Sequence, residues 1–81
     1  MTIKEVTEKR YDFMLGIVPP HLRLGKGFLV GEPVDHRKCK ITGTISPTYV
    51  AFFNAFGRYF ESDPMTVAEF TNFDVNDLPQ P

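Results

Sequence analysis

The chain has few of the residues on which small secreted and metal-dependent domains rely. Its 81 residues include one cysteine, Cys39, and two histidines. A single cysteine can form neither an internal disulfide nor a multi-thiolate metal site, so we expect no disulfide, no metal and no cofactor. A chain without disulfides fits a reducing compartment.

Long apolar runs and a strong charge of one sign are also lacking. The longest candidates, at 13–18 and 49–53, are far shorter than the about 20 apolar residues that cross a membrane as a helix. The charge-rich segment before them does not match a secretory signal. A net charge of −1 lacks the positive excess typical of nucleic-acid-binding and polybasic membrane-binding proteins. We therefore expect a soluble cytoplasmic protein with no membrane partner.

The chain does contain enough apolar mass for one core. Hydrophobic residues make up 42% of it, and eight of them are phenylalanine, which argues against intrinsic disorder. Two separate cores would each be too small to fold unaided at this length. We predict one compact domain over 1–73 and a flexible C-terminal tail over 74–81, where apolar residues are sparse.

A helix is predicted at the N-terminus. Thr2 and Glu5 have the spacing of a capping box, and the apolar residues that follow lie close to one helical face. Gly16 suits a left-handed cap, and the proline pair that comes next prevents continuation. We predict a helix over 3–16, with Phe13 packed against the β-hairpin that is predicted at 49–61.

The middle of the chain predicts strands and loops. An apolar strand is expected at 28–30, and the alternation of polar and apolar residues at 39–44 indicates a weak, half-exposed strand. The mostly charged residues at 34–40 indicate an exposed loop. Ser46 and Pro47 are expected to end the second of these strands.

The strongest strand signal is a hairpin at 49–61, in which two aromatic-rich runs flank a turn at 54–57. Asp63 and Pro64 are expected to end its second strand, and a second capping-box pattern predicts a short helix over 66–73. These elements predict an α+β fold, with an N-terminal helix packed on a three- to four-stranded antiparallel sheet and a short C-terminal helix.

Five segments form a distinctive pattern: YDFML at 11–15, PP at 19–20, GFLVGEP at 27–33, GRYF at 57–60 and MTVAEF at 65–70. The pattern resembles a family of uncharacterised small proteobacterial proteins that are often encoded on plasmids and phages. The chain departs from that family at Gly16 and Val18, where a polar residue and leucine are usual. The resemblance implies a compact α+β domain in a mobile genetic element, and it implies no activity or catalytic residue.

One segment invites a chemical interpretation. His36 and Cys39 lie three residues apart, and His21 could approach them in space, so a metal site or a Cys/His nucleophile is formally open. The two cations between His36 and Cys39 disfavour a metal, and no further ligand is indicated. These cations would also lower the pKa of Cys39, but a passive thiol is the favoured interpretation. We predict no catalytic, metal-binding or cofactor-binding residue and a non-enzymatic protein.

Two further patterns have structural explanations. Gly25 and Gly27 lead into the predicted strand at 28–30 and Gly31 ends it, so no helix N-terminus follows them and they do not form a phosphate-binding loop. The basic-Gly-aromatic pattern at 26–30 and 57–60 is similar to that of sheet-based RNA binders. The predicted order of helices and strands differs from the βαββαβ order of that fold, so core packing is the favoured explanation.

Charge is unevenly distributed along the chain. Solvation explains most of this, but two charged segments are also candidates for docking a partner of opposite charge. The basic segment contains Arg37, Lys38 and Lys40, and the acidic C-terminal third contains Glu61, Asp63, Glu69, Asp74 and Asp77.

The hairpin is predicted to carry the main contact surface. Both of its faces have large apolar groups, and two short helices are expected to leave one face uncovered, which is typical of an interface. In the competing interpretation, the loop at 34–47 covers that face and the hairpin is only core. The candidate contact residues are Tyr49, Phe52, Phe56, Arg58 and Tyr59.

The sequence therefore predicts a protein-binding module that binds either a second copy of itself or a different protein. The resemblance suggests an accessory factor of a mobile element that modulates a host or defence protein, of the anti-restriction or anti-CRISPR type. The alternative hypothesis is a small nucleic-acid-binding regulator.

Overall fold

The computed structural model of the protein describes residues 2–79, apart from the side chains of Leu22 and Leu24. Six strands and two α-helices follow one another along the chain, with short 3-10 helices at Pro20–Leu22 and Val75–Asp77. In chain order the strands and α-helices are β1 (Ile3–Val6), α1 (Glu8–Leu15), β2 (Arg23–Leu24), β3 (Gly27–Leu29), β4 (Asp35–Lys38), β5 (Ile45–Ala55), β6 (Arg58–Met65) and α2 (Val67–Thr71).

The strands form one antiparallel sheet in the order β1-β6-β5-β3-β2, and β4 pairs with β5 beside β3. Strand β5 organises the sheet because β6 covers one edge, while β3 and β4 share the other. The Val30 and Val34 amides donate to the carbonyls of Val50 and Thr48, which places β3 and β4 along the same edge of β5. The predicted α+β class, with an N-terminal helix on an antiparallel sheet and a short C-terminal helix, is confirmed. The sheet has six strands where three or four were predicted, because the short segments β1, β2 and β4 also pair with it.

Helix α1 covers one face of the sheet through Tyr11. The ring centroid of Tyr11 lies 5.0 Å from that of Phe28 and 4.8 Å from that of Tyr59. Phe52 stacks on Phe28 in the same layer, with its ring centroid 5.0 Å away. These contacts bury the aromatic side chains of three strands beneath one short helix.

Helix α2 and the residues after it cover the opposite face. Successive side chains of a strand point to opposite faces, so Phe53 points away from α1. Its ring lies 5.0 Å from that of Phe70 in α2 and 4.6 Å from that of Phe73. Both faces of the hairpin are therefore covered, which corrects the prediction that one of them is exposed. The covering groups are the two helices and not a loop at 34–47.

The first predicted helix is partly wrong. Residues 3–6 pair with β6 as strand β1, and the helix starts at Glu8. Its N-cap is Thr7, whose Oγ1 accepts from the Arg10 amide at 3.2 Å. The predicted left-handed cap is also wrong, since Gly16 has a right-handed φ of −65°. The capping box expected from Thr2 and Glu5 does not form, because residues 3–6 pair with β6 as the edge strand of the sheet.

The register of the helix places Phe13 on the outside. Its side chain is 70% exposed, whereas Tyr11 is 5% exposed, so the prediction that Phe13 packs on the sheet is wrong. In an eight-residue helix that starts at Glu8, the face toward the sheet is centred near Tyr11.

The predicted boundaries in the middle of the chain also change. Residues 35–38 form strand β4 instead of an exposed loop, and residues 40–42 form a turn where a weak strand was expected. Strand β5 continues through Pro47 and β6 continues through Pro64. Both prolines are tolerated because no pair with β6 is formed before Tyr49, and no pair with β1 is formed after Ser62.

The predicted hairpin and second helix are present. Strands β5 and β6 meet at a two-residue turn, Phe56-Gly57, between the paired residues Ala55 and Arg58. Helix α2 opens with the predicted capping box of Thr66 and Glu69. The domain extends beyond its predicted end at residue 73, because Leu78 is buried in the core. The last two residues of the predicted tail, 80 and 81, lie outside the described residues.

Candidate protein-binding surfaces

Most of the hairpin residues predicted to bind a partner contribute to the fold. Phe52 is fully buried under α1, and Tyr49 is half-buried against the core. Tyr59 is half-buried, and its hydroxyl donates to Glu8 Oε2 at 3.0 Å. That hydrogen bond to a carboxylate raises the pKa of Tyr59. Phe52 and Tyr59 therefore hold the sheet and α1 together, and Tyr49 packs against the core.

The Arg58 side chain also makes its contacts within the protein. Its Nη2 lies 2.6 Å from Glu5 Oε1, and its guanidinium lies over the Phe60 ring at 5.2 Å from the centroid. Its Nη1 donates to the Pro79 carbonyl at 3.2 Å. The paired carboxylate of Glu5 raises the pKa of Arg58. Arg58 therefore links β1, β6 and the C-terminal segment.

Phe56 differs from the other four candidates because it lies at the tip of the hairpin and is 52% exposed. Its φ is +58° and that of Gly57 is +72°. Positive φ at both central residues is the geometry of a type I′ turn, for which Asn-Gly is the favoured sequence. A phenylalanine in this region carries a steric cost of about 1–2 kcal/mol. The tip thus presents an exposed aromatic ring on a backbone that phenylalanine disfavours.

A second feature is an open groove of about 800 Å³ between β4, the end of β6 and α2, which we call the β4–α2 groove. Lys38 and Lys40 lie on its β4 side, and Asp74 and Asp77 lie on its C-terminal side. The exposed Ile41 and the half-buried Phe73 supply the apolar surface of the groove. The basic segment and the acidic C-terminal third, which are separate in sequence, therefore line one groove.

Arg37 and Glu69 join the two sides of the groove. Arg37 Nη2 lies 2.6 Å from Glu69 Oε1, and Nη1 lies 2.7 Å from Oε2. The Glu69 carboxylate also accepts from the backbone amides of Lys40 at 2.9 Å and Thr66 at 3.1 Å. The Arg37 guanidinium is the main reason that the pKa of Glu69 falls to about 2. The three bonds from Arg37 and Lys40 fix the β4–β5 hairpin against α2, and the bond from Thr66 completes the capping box of α2.

The Cys39 thiol is buried next to this linkage, 3.1 Å from Thr66 Oγ1. Hydrogen bonds with Thr42 and then Thr66 lower the pKa of the thiol to about 7. The lowering therefore comes mainly from neighbouring hydroxyl groups and not from the flanking cations considered above. His21 and His36 are exposed. Within residues 2–79, no group of three or more His, Cys, Asp or Glu side chains could hold a metal ion.

The basic-Gly-aromatic segments do not form an exposed stacking platform. Phe28 and Phe60 are fully buried. A side chain at Gly27 would collide with the carbonyl of Phe52, so this glycine is required by the close approach of β3 to β5. No helix among residues 2–79 is long and apolar enough to cross a membrane.

Sequence reasoning missed the main structural roles of Tyr11, Thr7 and Glu69. The capping-box position of Glu69 was a local signal, which indicates a contact with Thr66 but not one with Arg37. For Thr7 the only local signal was the general preference of threonine for N-cap positions. The uneven distribution of charge was the signal for the β4–α2 groove, although nothing in the sequence shows that the two segments face each other.

Comparison with family models, with curated proteins and with solved structures gives no significant match. The resemblance to the proteobacterial family therefore stays a prediction.

Proposed function

We propose that this protein is a non-enzymatic protein-binding module whose partner contacts the tip of the β5–β6 hairpin. The observation that carries the proposal is the exposed Phe56 ring on a turn with positive φ. The neighbouring residues Ala55 and Tyr59 pack against the core, so the tip is held firmly while the Phe56 ring points outward.

The energetics of the turn favour a role in binding over a role in folding. An Asn-Gly turn would form the same hairpin with less steric cost. Residues that lower stability and make no evident contribution to the fold are typical of functional sites. Aromatic side chains are enriched at protein interfaces, where a few of them supply most of the binding energy. Phe56 fits the role of such an anchor.

The resemblance to plasmid- and phage-encoded proteins suggests the setting of this interaction. In that setting the protein is an accessory factor of a mobile element, and its partner is a host or defence protein. A second copy of the chain is the other partner considered, and the test separates the two.

The test uses Phe56→Asn, with Phe13→Asn as the matched control at another exposed phenylalanine. A partner captured from the native host is identified by mass spectrometry, produced separately and titrated by calorimetry. Self-association is measured by light scattering. We expect Phe56→Asn to weaken binding by about tenfold or more, which is the effect of an anchor residue, and Phe13→Asn to leave affinity unchanged.

A stability measurement accompanies the binding data. Relief of the disfavoured φ is expected to raise the free energy of unfolding of Phe56→Asn by up to about 1 kcal/mol. A variant that is at least as stable as the wild type and binds its partner equally well would show that the tip is not the contact surface.

A further inference from the structure

The β4–α2 groove has unpaired charges of both signs on its two sides. Three ion pairs are present among residues 2–79, and they join Arg10 to Glu61, Arg37 to Glu69, and Arg58 to Glu5. None of these involves Lys38, Lys40 or Asp77, all of which are exposed. The groove can therefore form new ion pairs with a bound molecule without breaking existing ones.

We propose that the β4–α2 groove binds a short extended peptide segment of a partner protein, with an acidic side chain toward Lys38 and Lys40, an apolar side chain on Ile41 and Phe73, and a basic side chain toward Asp77. This binding site is separate from the hairpin tip. The proposal goes beyond the proposed function, because it names a second site and the chemistry of its ligand.

Charge complementarity selects this occupant. A nucleic acid would satisfy the lysine side but would bring its phosphates close to Asp74 and Asp77. A purely basic peptide would meet the opposite conflict at Lys38 and Lys40. A segment with charges of both signs satisfies both sides at once, and arrangements of this kind determine specificity and register in protein recognition.

The shape and stiffness of the groove also suit a short segment. Its volume of about 800 Å³ lies within the usual range for sites that bury small ligands, and it is far too small for a folded domain. The bidentate Arg37–Glu69 pair fixes the separation of the two sides before any ligand binds. A preformed site saves the cost of ordering on binding. The half-buried Phe73 and the rim residue Ile41 supply apolar contact.

The test is an NMR titration of the ¹⁵N-labelled protein with synthetic peptides. The first probe is acetyl-Glu-Gly-Leu-Gly-Lys-amide, and the comparison probes replace its lysine with glutamate or its glutamate with lysine. A single-stranded oligonucleotide is the nucleic-acid probe. We expect the mixed-charge peptide to shift the amide signals of groove residues such as Lys40, Asn72 and Phe73, and each comparison probe to bind more weakly.

Two variants locate the site. Lys40→Gln and Asp77→Asn each remove one charge from a side chain that forms no ion pair in the described part of the chain. Each is expected to weaken binding of the mixed-charge peptide by about two- to fivefold, the usual effect of an exposed ion pair. Lys9→Gln, at an exposed position on α1, is the matched control and should leave the affinity unchanged.

Several results would overturn this inference. These are signal shifts outside the groove, equal effects of Lys40→Gln, Asp77→Asn and Lys9→Gln, no saturable binding, or tighter binding of the oligonucleotide. Phe56→Asn should leave peptide binding unchanged. The groove and the hairpin tip therefore succeed or fail independently of each other.

Discussion

At the scale of single residues, Tyr11 and Phe13 show how strongly position outweighs hydrophobicity. They stand two positions apart on α1, and both are large and aromatic. Tyr11 contacts Phe28, Phe52 and Tyr59, whereas Phe13 has most of its surface in solvent. Composition alone favours Phe13 as the more apolar residue, but the helical register turns Tyr11 toward the sheet.

We predict that Tyr11→Ala lowers the free energy of unfolding by about 3–5 kcal/mol, the usual effect of removing a buried aromatic side chain. Phe13→Ala should change it by less than about 0.5 kcal/mol, because the side chain is on the surface. Urea denaturation followed by circular dichroism measures both. If Tyr11→Ala is unfolded even without urea, the milder variant Tyr11→Phe is compared with Phe13→Ala instead, because its smaller loss of unfolding free energy can still be measured. Equal effects of Tyr11→Ala and Phe13→Ala would contradict the helical register.

At the scale of secondary structure elements, the N-terminal segment contains two candidate N-cap residues for the first helix. Thr2 and Thr7 are both good N-cap residues, and Glu5 completed a capping-box pattern with Thr2. In the structure, residues 3–6 pair with β6, and Glu5 bonds to Arg58. The helix therefore begins at the later threonine.

This assignment predicts different effects for the two threonines. Thr7→Ala removes the acceptor of the Arg10 amide and should lower the free energy of unfolding by about 1 kcal/mol. Thr2→Ala leaves the backbone contacts of Thr2 with Asp63 in place, so it should change the free energy by only a few tenths of a kcal/mol. Thermal and urea unfolding of the two variants measure the difference. A larger effect at Thr2 than at Thr7 would show that the helix starts earlier.

At the scale of the whole molecule, Glu69 links the β4–β5 hairpin to α2 through Arg37 and the Lys40 amide. The pKa of Glu69 is about 2 in the folded protein, against an ordinary value of 4.5. Because folding lowers this pKa, the stabilisation is fully present above about pH 4.5 and is lost as the pH falls toward 2. The same bonds keep the groove in its open, preformed shape.

We therefore predict that Glu69→Gln lowers the free energy of unfolding by about 2–3 kcal/mol near neutral pH. This value is smaller than the full pKa difference implies, because solvent around Arg37 screens the ion pair. The difference from the wild type should shrink steadily as the pH falls from 4.5 to 2. Urea denaturation at a series of pH values measures it. Arg37→Gln, which removes the partner, should give a similarly flattened pH profile. A difference that stays constant across this pH range would rule out the proposed ionic linkage.

The sequence alone determined the elements whose signals are local. The β5–β6 hairpin follows from two aromatic-rich runs around a short turn that contains Gly57, and α2 follows from Thr66 and Glu69 at capping-box spacing. These signals act between residues that are close in the chain, so little of the tertiary structure can alter them. The α+β class follows from the same elements.

Only the tertiary structure determined that β1 and β4 are strands and where the two candidate binding surfaces lie. Half of β1 and most of β4 are charged, so neither has an apolar strand pattern. Strand β1 pairs with β6, which lies far away in sequence, and β4 pairs with the nearby start of β5 but is bonded to the distant Glu69 through Arg37. Tertiary packing also buries Phe52, leaves Phe56 exposed and brings Lys40 and Asp77 to one groove. An edge position stabilises a segment through backbone hydrogen bonds, which any sequence can form, so no residue pattern identifies it in advance.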